Sequence, residues 1–290
     1  MKTRIISALV GTVILLAVLF CPWVWVFAMA VAAAAGLATY ELLHNTDIVK
    51  SKWMIWGSVV FAAAEVLTIT RALELAHHNY MENPMLALYF AVVEWSPILC
   101  LVTYALYALM LHFIFRKRFV WKGFGLTLYA TLGFGALGAL RSFPLAGLFY
   151  VLLPMVIAWM SDTGAYFTGV FFGKHKMAPV ISPKKTWEGF FGGWVISIGL
   201  TVLYGVICNT IAGSKVFDLL MLAVVAAVLA PLSVAGDLLA SLIKRRTGIK
   251  DYGNIMPGHG GVMDRFDSVV MIAPLLCILS SSLLNISCIF

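Results

Sequence analysis

Long apolar runs alternate with short polar breaks along almost the whole chain. The runs fall near residues 5–20, 23–41, 53–70, 96–115, 123–140, 143–161, 188–208, 216–236 and 267–287. A membrane-crossing helix needs about 20 apolar residues, so the pattern predicts about nine transmembrane helices. The runs are unbroken, without the short segments of alternating polarity that a membrane barrel requires. Only helices and closed barrels satisfy their own backbone in lipid. The expected class is therefore all-α, a polytopic integral membrane helical bundle. The first run follows Lys2 and Arg4 and looks like a signal peptide. However, Phe20 rather than a small residue precedes Cys21, and a second apolar run follows at once. We read it as a retained span. The stretch from Pro84 to Phe115 is too long for one straight span. Glu94 and Pro97 are expected to break it, leaving 85–93 as an interfacial or re-entrant piece.

Composition agrees with the pattern. The chain of 290 residues is 62% hydrophobic and 11% charged, against about 25% charged in a soluble domain. Its net charge of +7 would suggest nucleic acid in a soluble protein. In a membrane protein the simpler source is basic loops held against anionic lipid on the cytoplasmic side, and no nucleic-acid partner is expected. With nine spans, all but three of the Lys and Arg residues fall on the side of the N-terminus. The exceptions are Arg71, Arg141 and Lys215. That bias puts the N-terminus in the cytoplasm. The five cysteines show no Cys-x-x-Cys pair and no metal-ligand spacing, so they are expected to pack as small apolar residues.

The remaining charges concentrate in a few places. Residues 236–268 hold nine of them: Asp237, Lys244, Arg245, Arg246, Lys250, Asp251, Asp264, Arg265 and Asp267. Asp237, Ser241 and Lys244 are spaced to share one face of a continuing helix, as are Asp264 and Asp267. Between them Gly258, His259, Gly260 and Gly261 form a flexible turn whose amides can approach a ligand closely. Carboxylates at helix ends suit a hard cation such as Mg²⁺ beside nucleotide phosphates. They also suit simple helix capping. His259 is a candidate acid or base, although a backbone role for its turn is equally open.

Two further clusters lie upstream. Asp162 follows an apolar run and is expected at the membrane edge, as a helix cap or a catalytic carboxylate. Lys174, Lys176, Ser182, Lys184, Lys185 and Thr186 share one loop. Lysines and hydroxyls there suit a polyphosphate, and a helix starting after Pro183 would aim its free N–H groups at an anion. The simpler alternative is a basic loop on lipid headgroups. Glu65 lies inside the third run. It is either a functional carboxylate or one hydrogen-bonded to a neighbouring helix. Gly133, Gly135, Gly138, Gly192 and Gly193 are expected to allow close helix approach. These polar clusters crowd one membrane face while most runs stay clean. That favours an enzyme joining a nucleotide or phosphate to a lipid over a transporter, which would place broken helices at mid-membrane.

The C-terminal stretch has a recognisable form, S-x-x-K-R-x4-K-D-x-G-x2-φ-P-x-H-G-G-φ-x-D-R-φ-D, with φ apolar. It is carried here by Ser241, Lys244, Arg245, Lys250, Asp251, Gly253, Pro257, His259, Gly260, Gly261, Asp264, Arg265 and Asp267. Together with the runs from Asp162 to Tyr166 and from Ser182 to Gly189, it resembles the bacterial CDP-diacylglycerol synthases, or phosphatidate cytidylyltransferases. Met256 stands where that family usually has Leu, Ile or Phe. The resemblance covers roughly 159–268; the first 150 residues are alike only in being hydrophobic. It implies transfer of the cytidylyl group of CTP to phosphatidate, with Mg²⁺ and room for a second cation. It also implies a homodimer in the bacterial inner membrane, with the site facing the cytoplasm. It implies metal ligation by Asp237, Asp264 and Asp267, with Asp162 a further candidate, and catalytic roles for these three aspartates, Lys185 and His259. Phosphates would be held by Lys174, Ser182, Lys184, Lys185, Thr186, Lys244, Arg245, Lys250, Gly260, Gly261 and Arg265. On this view 1–290 is a single membrane domain, with 1–150 as scaffold spans and 151–290 as the catalytic half.

Overall fold

A chain this apolar has to satisfy its peptide groups internally, and it does so with helices. A computed structural model describes residues 2–77, 84–115, 119–143, 146–255, 258 and 260–283. Two compact units are present. The first comprises Met1–Leu148 with Arg246–Phe266, the second Phe149–Arg245 with Asp267–Phe290.

The first unit holds α1 (Lys2–Leu19), α2 (Val24–Tyr40), α3 (Lys52–His77), α4 (Pro84–Phe115) and α5 (Phe119–Arg141); α2, α4 and α5 pack around α3, and α1 meets α2. Gly138 on α5 has no room for a Cβ, which would meet the Thr70 hydroxyl on α3. Phe61 stacks on Tyr104 with ring centroids 3.9 Å apart. The buried Tyr104 hydroxyl is satisfied by the Ser58 hydroxyl at 2.7 Å. A π turn, Glu41–Asn45, continues α2.

The second unit carries α6 (Gly147–Phe172), a hairpin of β1 (Lys176–Ala178) and β2 (Ser182–Thr186), α7 (Trp187–Ala212), α8 (Leu219–Thr247) and α9 (Met263–Leu283). Each helix is assigned by the unit that holds most of it. The antiparallel hairpin pairs Lys176 with Thr186 and Ala178 with Ser182. Polar side chains inside the helices find carbonyls on their neighbours. Ser197 donates to Ile157 O (2.9 Å), Tyr204 to Phe149 O (2.7 Å) and Trp194 to Ala227 O (2.8 Å), which ties α7 to α6 and α8.

Among the described residues seven helices are long and apolar enough to cross a membrane: Val24–Asn45, Lys52–Glu74, Ser96–Ile114, Phe119–Arg141, Gly147–Phe172, Trp187–Ala212 and Leu219–Thr247. The first and ninth expected spans do not reach that standard among the described residues. Within α1 the described apolar stretch is Leu9–Leu19, and the opening turns of α9 carry Asp264, Arg265 and Asp267.

Three expectations need correction. α4 runs through Pro97 without the expected break; a proline costs a helix one donor and some crowding, and the apolar sequence on both sides still favours helix. α6 does not stop near residue 161 but continues to Phe172, while α8 runs past residue 236 to Thr247, as the spacing of Asp237, Ser241 and Lys244 predicts. Asp162 and Asp237 are therefore mid-helix residues, and capping is removed as the explanation for Asp162. Finally, the segment after Pro183 is extended, and the helix opens only at Trp187 behind the Thr186 cap.

Candidate active site

The helix continuations set up the chemistry of the second unit. On α6, Ser161 is buried, and its hydroxyl has no hydrogen-bond partner. Beside it Asp162 is half-buried. Gly193 on α7 faces this turn closely: a Cβ there would lie 2.5 Å from Ser161 O and 2.8 Å from the Ala165 side chain. Glycine thus brings α7 against the turn that presents Asp162.

The hairpin delivers the opposing cation. Lys185, near the end of β2, pairs with Asp237 on α8, with 22% and 25% of the two side chains exposed. The Lys185 ammonium itself is shielded from solvent. Asp162 lies within electrostatic reach of both partners. Asp267, on α9, lies within reach of Asp237, Asp162 and the half-buried Lys244. Lys185 and Lys244 therefore lie within electrostatic reach of a set of three carboxylates, Asp162, Asp237 and Asp267. Next to them is a cavity of about 280 Å³ lined by Asp162, Tyr166, Ser182, Lys184, Lys185 and Thr186, with Phe190 and Val234 among its apolar walls.

The rest of the basic loop is held by one carboxylate. Glu188, in the first turn of α7, accepts the Lys174 N–H at 3.1 Å and the His175 N–H at 3.2 Å, and it contacts His175 Nδ1 at 2.5 Å. The Lys174, Lys176 and Lys184 side chains are exposed. Thr186 is buried, and its hydroxyl accepts the Gly189 N–H at 3.1 Å, capping α7. Arg245, on α8, is exposed and donates from Nε to Ile181 O at 3.4 Å.

The remaining expected site residues lie in the first unit, in the segment between α8 and α9 and at the start of α9. Lys250 and Arg265 are exposed. Asp264 Oδ2 accepts the Tyr252 N–H at 2.7 Å and the Gly261 N–H at 3.0 Å. The Gly261 amide is thus already engaged by the chain. Gly258 and Gly260 have φ of 79° and 87°, a left-handed backbone that glycine adopts without strain. His259 lies outside the described residues, as do Met256 and Pro257.

One residue of this region was not expected. Glu41, at the end of α2, is 1% exposed and accepts the Val262 N–H at 3.0 Å and the Met263 N–H at 2.8 Å. The signal in the sequence was a carboxylate closing an apolar run without a basic neighbour. Nothing local to it pointed to partners more than 200 positions away.

Chemically, the second unit offers hard oxygen donors and lysines around a partly apolar cavity. Among the described residues no three His, Cys, Asp or Glu side chains converge closely enough to hold a metal ion. The donor chemistry nevertheless fits a hard cation: Asp237 already faces a cationic group, the Lys185 ammonium, and Asp162 and Asp267 add two carboxylates nearby.

A family model described as the Cytidylyltransferase family matches residues 2–283 of the chain. The phosphatidate cytidylyltransferase of Staphylococcus haemolyticus (strain JCSC1435) is 43% identical over 153 residues, which is 52% of this chain and 55% of that protein. The proteins of the same name from Staphylococcus epidermidis (strain ATCC 12228 / FDA PCI 1200) and Staphylococcus aureus (strain COL) are each 44% identical, over 151 and 153 residues, with the same coverage. The chain spans about half the length of the curated relatives it matches.

Proposed function

The chain belongs to the cytidylyltransferase family, and from that premise we propose that it transfers the cytidylyl group of CTP to phosphatidate, giving CDP-diacylglycerol and pyrophosphate for phospholipid synthesis. The observation that carries this reading is the Lys185–Asp237 pair beside a cavity lined by both lysines and apolar side chains. A nucleotide phosphate and a lipid headgroup need that combination together. The names of the relatives and the C-terminal sequence pattern support the choice of CTP and phosphatidate.

The step itself is a substitution at phosphorus. A phosphatidate phosphate oxygen attacks the α-phosphorus of CTP, the bond from that phosphorus to the bridging oxygen breaks, and pyrophosphate leaves with the electron pair. The nucleophile is already anionic, so its activation is a smaller problem than repulsion between two phosphates. Lys185 and the exposed Lys184, both lining the cavity, would lower that repulsion. Lys174, Ser182, Lys244, Arg245, Lys250 and Arg265 are the further phosphate contacts we assign, Arg245 and Arg265 as two-pronged donors. Asp237 and Asp267, with Asp162, would hold Mg²⁺. The metal would supply charge neutralisation on the transferring phosphate and the leaving group. Asp264 is assigned to the same task from the sequence pattern. A second cation and a homodimer are carried over from the resemblance alone. The phosphatidate acyl chains would remain in the lipid, and the basic bias of one set of loops supports a cytoplasmic site in the bacterial inner membrane.

Purified protein mixed with phosphatidate, CTP and Mg²⁺ should release pyrophosphate in step with a new lipid of the mass of CDP-diacylglycerol. Well-folded protein that makes no such lipid would refute the proposal. Formation of CDP with a phosphorylated lipid would identify a CTP-dependent lipid kinase. Uptake of an unchanged anion into proteoliposomes would identify a transporter.

A further inference from the structure

The first N–H groups of a helix have no partners inside the helix, and its N-terminus carries partial positive charge. At the start of α9 both features are met by a residue from the far end of the sequence. Glu41 uses one carboxylate oxygen for the Val262 N–H (3.0 Å) and the other for the Met263 N–H (2.8 Å). The fit is tight: a Cβ on either Gly253 or Gly261 would run into the same carboxylate. Four residues on, at the other end of the π turn, Asn45 donates from Nδ2 to Tyr252 O at 2.6 Å. The turn therefore grips the segment before α9 at two points.

The grip leads to Asp264. Its Oδ2 accepts N–H groups from Tyr252 and Gly261. Tyr252 is the residue that Asn45 holds by its carbonyl, and Gly261 packs its backbone on the Glu41 carboxylate. Both of these donors to Asp264 are thus themselves fixed by the π turn. We propose that Glu41 is a positioning residue for the transfer reaction. It holds Tyr252–Gly253 and Gly261–Met263 in the arrangement that aims Asp264. The functional part of this rests on the cytidylyltransferase reading and on the role assigned to Asp264. It gives the first half of the chain a part in the chemistry beyond that of a scaffold.

Glu41→Gln is the suitable variant. It keeps the size of the side chain and one acceptor oxygen, and it turns an NH₂ group toward a backbone N–H. Loss of a buried hydrogen bond to a charged group should speed local amide exchange by about tenfold or more. Hydrogen–deuterium exchange of the intact protein in micelles should show this in peptides covering 252–263, with α3–α5 unchanged. The same variant should lower kcat by about tenfold or more, with KM for phosphatidate within about twofold of wild type. A residue with only a structural role would lower the amount of folded protein and leave kcat per folded molecule alone. Asn45→Ala, which removes the second grip and leaves the Glu41 carboxylate in place, should move exchange and kcat in the same direction by less. Unchanged exchange in Glu41→Gln would overturn the clamp. Faster exchange with wild-type kcat would overturn the positioning role. If wild-type protein makes no CDP-diacylglycerol, the functional reading fails, and the exchange measurement still decides whether Glu41 holds the segment.

Discussion

At the scale of single residues, the pairing of Lys185 with Asp237 is central to the second unit. Each side chain is about three-quarters covered, so removing one leaves the other as a poorly solvated charge. In Lys185→Ala and in Asp237→Asn, CDP-diacylglycerol formation should fall by about 10²–10³. The double variant should be little worse than the poorer single one, because each change disables the same unit. Multiplied losses in steady-state kinetics would show that the two residues act separately. Asp162, Lys185, Asp237 and Asp267 stand out in the sequence because a charge inside or beside an apolar run needs a reason to be there. The partner of each was not legible. Asp237 and Lys185 are 52 positions apart, and only the hairpin brings them together. Glu41 was missed for the same reason: its partners are two backbone N–H groups, which leave no mark in the sequence.

At the scale of elements, the contact of α6 with α7 positions Asp162. The sequence does place glycines at 192 and 193, and close approach was expected of them. Which helix they face follows from the structure, where Gly193 meets Ser161 and Ala165. Gly193→Leu should destabilise the protein by about 1–3 kcal/mol through overpacking, read as a lower thermal midpoint in detergent. It should also reduce transfer activity in the fraction that stays folded. A variant with wild-type midpoint and activity would mean that α6 and α7 do not need this approach. The end of α6 was misplaced in the sequence reading because a polar residue after some 18 apolar ones resembles a membrane boundary. Here Asp162 and Asp237 are polar because of what they face, and the helices run on to Phe172 and Thr247. The strand character of Ser182–Thr186 was likewise hidden, since a lysine-rich loop before a helix carries no clear period of two.

At the scale of the whole molecule, hydropathy was the most legible signal. Seven expected spans appear as helices of sufficient length and apolarity, and the chain is a multi-pass membrane protein of the cytidylyltransferase family. Orientation rests on the distribution of basic residues and can be tested directly. Lys176 and Lys215 flank opposite ends of α7. In a protein freed of its own cysteines, Lys215→Cys should react with an impermeant maleimide from outside the inner membrane. Lys176→Cys should react only after permeabilisation. The reverse pattern would turn the topology over and place the lysine-rich hairpin away from cytoplasmic CTP.

The central claim is that the bond broken is the one between the α- and β-phosphates of CTP, with the nucleotide kept on the lipid. Parallel turnovers with CTP labelled at the α- or the γ-phosphate test it most directly. The account predicts that α-label appears in the lipid fraction and γ-label in pyrophosphate, in equal amounts. γ-Label in the lipid, with α-label left in soluble CDP, would contradict it.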